Sequence, residues 1–212
     1  MSDVLFYQQL DRLKYDVSRL QNTITDYELT DSAKYPENFE KVGLDVAMQA
    51  EAVACTTRSI VSSFMTNGRT QLIHDVAKMQ GIRIEENKLG YEIIMPSLMK
   101  KRSGKHSVMF LLEPLSYALK RFANTHSIDR MSHAVIWFIY EYAEDVPMCQ
   151  IRDYDNIEAK EVLDLINTHF LVDDGGRYCE LHYSIKRGKR NRTRVVISED
   201  IGLFLCSESE KI

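Results

Sequence analysis

The sequence predicts an α+β fold in which an N-terminal α-helical hairpin precedes a mixed β-sheet with helices packed on it, and three observations predict it. Residues 3–65 carry apolar side chains at alternating spacings of three and four, the mark of helix. From Ile82 onward the period changes to that of strand. Within 133–142 the run Ala134-Val135-Ile136-Trp137-Phe138-Ile139-Tyr140 barely alternates, so both of its faces must be buried, as in a central strand.

Length and composition agree with a folded chain of one or two domains. With 212 residues, 44% of them hydrophobic, it can bury a sizeable core. The expected division is a helical hairpin over 1–80, serving as a packing or dimerisation extension, and an α+β domain over 81–212. The net charge of −4 does not mark a nucleic-acid protein, but residues 96–212 balance 17 basic against 17 acidic side chains, with the basic ones gathered in two loops. Cys55, Cys149, Cys179 and Cys206 lack the paired spacing of a zinc site, and reduced thiols suit a cytoplasmic protein. No apolar run approaches the roughly 20 residues that span a bilayer, so no membrane role is expected.

In the hairpin, Phe6, Leu10, Leu13, Val17 and Leu20 make one stripe. Phe39, Val42, Val46, Ala50, Val53, Thr57, Ile60 and Phe64 make the other. Asp31, Ser32 and Pro36 interrupt the pattern between them, and Asn67-Gly68 ends the second helix. Buried Ala50 and Val53 are expected to let the partner helix approach closely. A short helix over 70–80, stopped by Gly81, links the hairpin to two strands, 82–85 and 91–95, around a glycine-assisted turn. Pro114 suits the first turn of a helix that turns Leu115, Leu119 and Phe122 inward. After the central strand, residues 156–168 read as helix from the spacing of Ala159, Val162, Leu163, Ile166 and Phe170. Strands 178–186 and 193–198 follow, joined as a hairpin by Arg187-Gly188-Lys189-Arg190-Asn191-Arg192.

The residues that carry chemistry bracket the 156–168 helix. Asp153 and Asp155 are two apart and share a face of an extended segment, while Asp173 and Asp174 follow the helix, where Gly175-Gly176 allows them to fold back. Carboxylates brought so close repel unless one is protonated or a hard cation such as Mg²⁺ or Mn²⁺ fills the site. A plainer reading stands beside this one. Asp155 with Glu158 is a capping box, and Asp-Asp-Gly-Gly is an ordinary turn. Two basic segments complete the pattern. The loop with Lys100, Lys101, Arg102 and Lys105 is either a solvated connection or a phosphate contact. The tip with Arg187, Lys189, Arg190 and Arg192, extended by Lys186 and Arg194, holds six cations with no acid among them, which favours a polyanion.

The stretch RDYDNIEAKEVLDLINTHFLVDD, residues 152–174, resembles the core of the RusA family of Holliday-junction resolvases, whose pattern is Arg-Asp-x-Asp-Asn, a helix, then Asp-Asp. The likeness extends more weakly over 91–199. It implies a RusA-like sheet domain and a structure-selective DNA endonuclease using Mg²⁺ or Mn²⁺. Asp153, Asp155 and Asp174 would hold the metal, with Asp173 beside them. Lys160 or Arg152 would offset charge on the phosphate, and the basic residues would grip branched or duplex DNA. Cutting a symmetric junction twice implies a homodimer. One departure is plain: the family's lysine, one helical turn after the second aspartate, falls on Ala159, and Lys160 is turned about 100° from it. That departure keeps a second reading open, a RusA-like domain that has lost catalysis and binds nucleic acid or protein. The chain also resembles an uncharacterised family from mobile elements of Gram-positive gut bacteria, which would suit DNA recombination.

Overall fold

The computed structural model describes residues 3–64, 68–87, 90–98, 109–148, 151, 154, 157, 159–173 and 175–199. The fold is α+β, and the chain divides into two compact units, residues 1–69 and 70–212.

The first unit is the expected hairpin of α1 (Asp3–Leu29) and α2 (Pro36–Phe64). Asp31 makes the break between them, its Oδ1 accepting the backbone N–H groups of Ala33 and Lys34 at 2.9 and 3.0 Å. The seam differs from the predicted stripe. Tyr27 lies against Phe39, ring centroids 4.4 Å apart, and covers Gly43, where an added Cβ would stand 3.1 Å from the tyrosine ring. That contact sets the rotation of α1, so positions 6, 13, 20 and 27 centre the seam. Asp16 and Thr23 then flank it on the inner side, leaving Val17 and Ile24 exposed. Thr23 bonds to Gln49 within the seam, so Ala50 is exposed, and Gly43 is the point of close approach instead.

Helix α3 (Arg69–Met79) belongs almost wholly to the second unit, not to the hairpin as the 1–80 division expected. Its Ala77 joins the main core, and Gly81, with φ of +74°, turns the chain into the sheet. The sheet comprises β1 (Arg83–Asn87), β2 (Gly90–Met95), β3 (Ala134–Ala143), β4 (Cys179–Gly188) and β5 (Arg192–Ser198), in the order β1-β2-β5-β3-β4. β3 and β4 are parallel and every other pair is antiparallel. β1 and β2 form the predicted hairpin. β4 and β5 do not: β3 lies between them. The reason is the apolarity of β3, which needs a neighbour on each edge, and residues 189–191 suffice to span the roughly 10 Å between next-nearest strands.

Helices α4 (Met109–Thr125) and α5 (Lys160–Phe170) pack on one sheet face. Leu115, Leu119, Val162, Ile166 and Phe170 meet Ile93, Ile136, Phe138, Val195 and Ile197 there in one core. The other face carries a smaller cluster of Ile139 and Val196 with Trp137 against it, so β3 is buried on both sides as its sequence demands. Pro114 is not at the first turn of α4 but inside it. Proline has no N–H for the carbonyl four residues back, and that carbonyl, on Phe110, accepts instead from the Gln80 side chain at 3.1 Å. Helix α5 starts four residues later than 156–168 predicts and ends at Phe170. Its N-cap is Ala159, which makes no side-chain cap bond. Ile157 and Ala159 are already buried before the helix begins, so burial rather than a capping box fixes its start.

Candidate nucleic-acid interface

One row of the sheet organises the candidate site. Met95, Thr193, Tyr140 and Ile185 are aligned across β2, β5, β3 and β4, near the end where β3 finishes. Three segments distant in sequence are anchored to this row. Leu98, which leads toward the first basic loop, donates its N–H to the buried Thr193 Oγ1 at 3.1 Å. Tyr154, between the first two candidate aspartates, stacks on Tyr140 and Tyr183 with centroids 6.2 and 5.8 Å away. The crossover with Lys189 and Arg190 leaves β4 three residues beyond the row and enters β5 one residue from it, held by the Ala143 N–H, which donates to Asn191 Oδ1 at 2.8 Å.

The cations of that crossover divide into two kinds. Arg187 donates to the carbonyls of Ala143 and Val146 at 3.1 and 2.6 Å and reaches Met148 Sδ, which pins the turn after β3. Arg192 is paired with Glu141 through Nε and Oε2. Arg194 joins Glu92 through Nε and Glu141 through Nη1, the latter at 3.1 Å. Burial pushes the Glu141 carboxyl up, but hydrogen bonds and charge from Arg192 and Arg194 outweigh it and hold the group below the ordinary glutamate range. The acids missing from the sequence of the tip are therefore supplied by neighbouring strands. Lys189 and Arg190 are exposed.

Sequence reasoning overlooked this ladder of Glu92, Arg194, Glu141 and Arg192. A signal was present, since Arg192 and Arg194 share a face by strand parity and a carboxylate ends the apolar run of β3. It also overlooked the tyrosines. Tyr140 is buried, its hydroxyl has no partner among the described residues, and burial, then Tyr183, Tyr142 and Tyr154, raises its pKa.

Of the acidic candidates, Asp153, Asp155 and Asp174 lie outside the described residues, as do Arg152, Lys100, Lys101, Arg102 and Lys105. Asp173 is exposed, and its Oδ1 accepts the Gly175 N–H at 3.2 Å, the turn bond of the plainer reading. The sequence expects it to fold back beside Asp153 and Asp155, which lie outside the described residues. Met131 bonds to Phe170 and Val172 just before Asp173, and Ala134 bonds to Tyr178 just after, so Asp173 sits where β3 begins. Ala134 and Tyr140 are six steps apart along the strand, about 20 Å. Asp173 therefore lies near the start of β3, away from the row on which Tyr154 stacks. Among the described residues no group of three or more His, Cys, Asp or Glu side chains could hold a metal ion. Lys160 is exposed at the first turn of α5, whereas Ala159 is 7% exposed, a place that would not hold a lysine side chain without displacing the core.

Cys55 is half-buried and Cys179 buried, with no disulfide among the described residues, and no described helix is long and apolar enough to cross a membrane. One family model, described as a family of unknown function (DUF6100), matches residues 2–205. No curated protein matches the chain.

Proposed function

The chain belongs to the DUF6100 family, and from that premise we propose that it binds DNA where β3 finishes and cuts phosphodiester bonds there as a divalent-metal-dependent endonuclease. The observation that carries the reading is the gathering of Leu98, Tyr154, Lys189 and Arg190, each beside or within a segment rich in charge, around one row of the sheet. The exposed Lys189 and Arg190 at one end of the sheet, with Leu98 leading there into the sequence of a second basic segment, suit a phosphate backbone, which is gripped by charge without regard to base sequence. Asp153 and Asp155 flank Tyr154, and Mg²⁺ or Mn²⁺ bound by carboxylates supplies an activated water and charge neutralisation at phosphorus. Asp173 takes no part in this reading. Lys160 begins α5, whose buried face is packed against the same sheet.

A second reading, a branched- or duplex-DNA binding module without catalysis, is favoured by Ala159, because the buried apolar side chain stands where the resemblance asks for lysine. One experiment separates the two. Purified protein is incubated with Mn²⁺ and a synthetic four-way junction, and binding is measured in parallel. The nuclease reading expects product from wild type and Asp173→Asn and none from Asp155→Asn. Binding without product in all three leaves the module, and no binding at low salt refutes both.

A further inference from the structure

β4 is an edge strand ten residues long, without proline or bulge, and among the described residues it pairs with β3 alone. Long flat edges of this kind are pairing surfaces unless something blunts them. We propose that the edge pairs with β4 of a second copy of this chain, antiparallel, about a twofold axis through Tyr183. The occupant is read from the strand itself. Around Tyr183 the sequence Glu180-Leu181-His182-Tyr183-Ser184-Ile185-Lys186 is self-complementary: acid, aliphatic, polar, aromatic, polar, aliphatic, base.

In an antiparallel pair, opposed residues share a sheet face. With Tyr183 on the axis, Glu180 of each copy opposes Lys186 of the other, Leu181 opposes Ile185, and His182 opposes Ser184. Every opposed pair keeps its face, since all partners differ by an even number of residues. A register shifted by two residues in either direction breaks both charge pairs and sets Leu181 against a residue other than Ile185. Leu181 is 41% exposed although it lies on the core side of the sheet, and this pairing would cover it. Glu180 keeps His133 and His182 at 3.7 Å in its own chain, with half of its side chain exposed, so its carboxylate is reachable from the edge. The arrangement joins two five-stranded sheets into one of ten strands, with both sets of helices on the same side.

The test uses the full chain in analytical ultracentrifugation. Wild type is expected as a dimer. Glu180→Lys opposes lysine to lysine twice, and Lys186→Glu opposes glutamate to glutamate twice, so each variant alone should dimerise at least tenfold more weakly. Mixed in equal amounts, the two restore both charge pairs and should recover a heterodimer of wild-type affinity. Should either variant misfold, Tyr183→Cys carries the question, because residues on the axis are close enough for an intermolecular disulfide. The proposal is overturned if wild type is monomeric at about 100 μM, if the single variants dimerise like wild type, or if the mixture is no tighter than either variant alone. Failure of the Tyr183→Cys variant to crosslink under oxidising conditions would overturn it equally. Every readout here is association or crosslinking in the absence of DNA, whereas the function above is read by binding and product, so the two proposals fail separately.

Discussion

Removing Lys189 and Arg190 should change how DNA binding depends on salt, and removing Arg187 and Arg192 should not. Each phosphate neutralised by a cation contributes about −0.9 to the slope of log K against log salt. From sequence, four cations of the crossover would contribute a slope of roughly −3 to −4. In the structure Arg187 is bound to two backbone carbonyls and Arg192 to Glu141, which leaves Lys189 and Arg190 facing solvent and predicts a contribution from this tip of about −1.8. Lys189→Ala with Arg190→Ala should flatten the slope by that amount and leave the melting temperature unchanged, since exposed cations contribute little stability. Arg192→Ala should do the reverse. It leaves a carboxylate that is 8% exposed with Arg194 as its remaining partner, at a cost of about 1–3 kcal/mol. Fluorescence anisotropy between about 50 and 300 mM salt, with thermal melts of the same samples, reads both effects. If the Lys189/Arg190 variant keeps the wild-type slope, or if Arg192→Ala flattens it without loss of stability, the division of the cations is mistaken.

Three further outcomes follow from the same contacts. Glu141 has its pKa depressed in the folded state, so its stabilisation is complete above the unfolded value of about 4.3 and is lost as pH falls through the lower folded value. Acid unfolding followed by circular dichroism should therefore show a smaller dependence on pH below about 4 in Glu141→Gln. Tyr140→Phe removes a buried hydroxyl that has no partner among the described residues and should raise stability in urea by up to about 1 kcal/mol; a loss of similar size would mean that the hydroxyl is bonded. Gly90→Ala should destabilise by well over 1 kcal/mol, because φ is +133° and the new Cβ would collide with the Ile197 carbonyl oxygen. A variant that melts with wild type would show that β2 and β5 are not held in that register.

Much of the fold could be read from local patterns because those patterns answer to local physics. The apolar run of β3 required burial on two faces, and it has it. The break at Asp31 and the turn at Gly81 are short-range geometry, and both stand where the residues say. What failed depended on distant partners. Nothing within 178–198 says that β3 will insert between its two strands, and so nothing local says that Glu141 will meet Arg192 and Arg194. The start of α5 was misread for a similar reason, since burial of Ile157 and Ala159 outweighs the capping pattern at Asp155 and Glu158. The helix seam shows the limit of periodicity alone. Val17 and Asp16 fit spacings of four or three equally well, and a single ring packed on Gly43 decides between them. At the candidate site the acidic residues were legible in the sequence, whereas the place of Asp173 at the start of β3 was not, because it is set by the partners of Met131 and Ala134 across the fold.

The insertion of β5 between β2 and β3 has a consequence for how the protein is made. Synthesis proceeds from β1, and by the time β4 has emerged from the ribosome the chain holds a β1–β2 hairpin and a β3–β4 pair with no strand to join them. Ile93 on one piece and Ile136 on the other wait for Val195 and Ile197, translated about a hundred residues after β2. Joining strands so far apart in sequence is slow. Until residue 198 is free, the nascent chain presents two open apolar edges, the condition that draws chaperones and aggregation. A chain that stops before Arg192 would therefore lose the seam of the whole sheet, not merely its last strand.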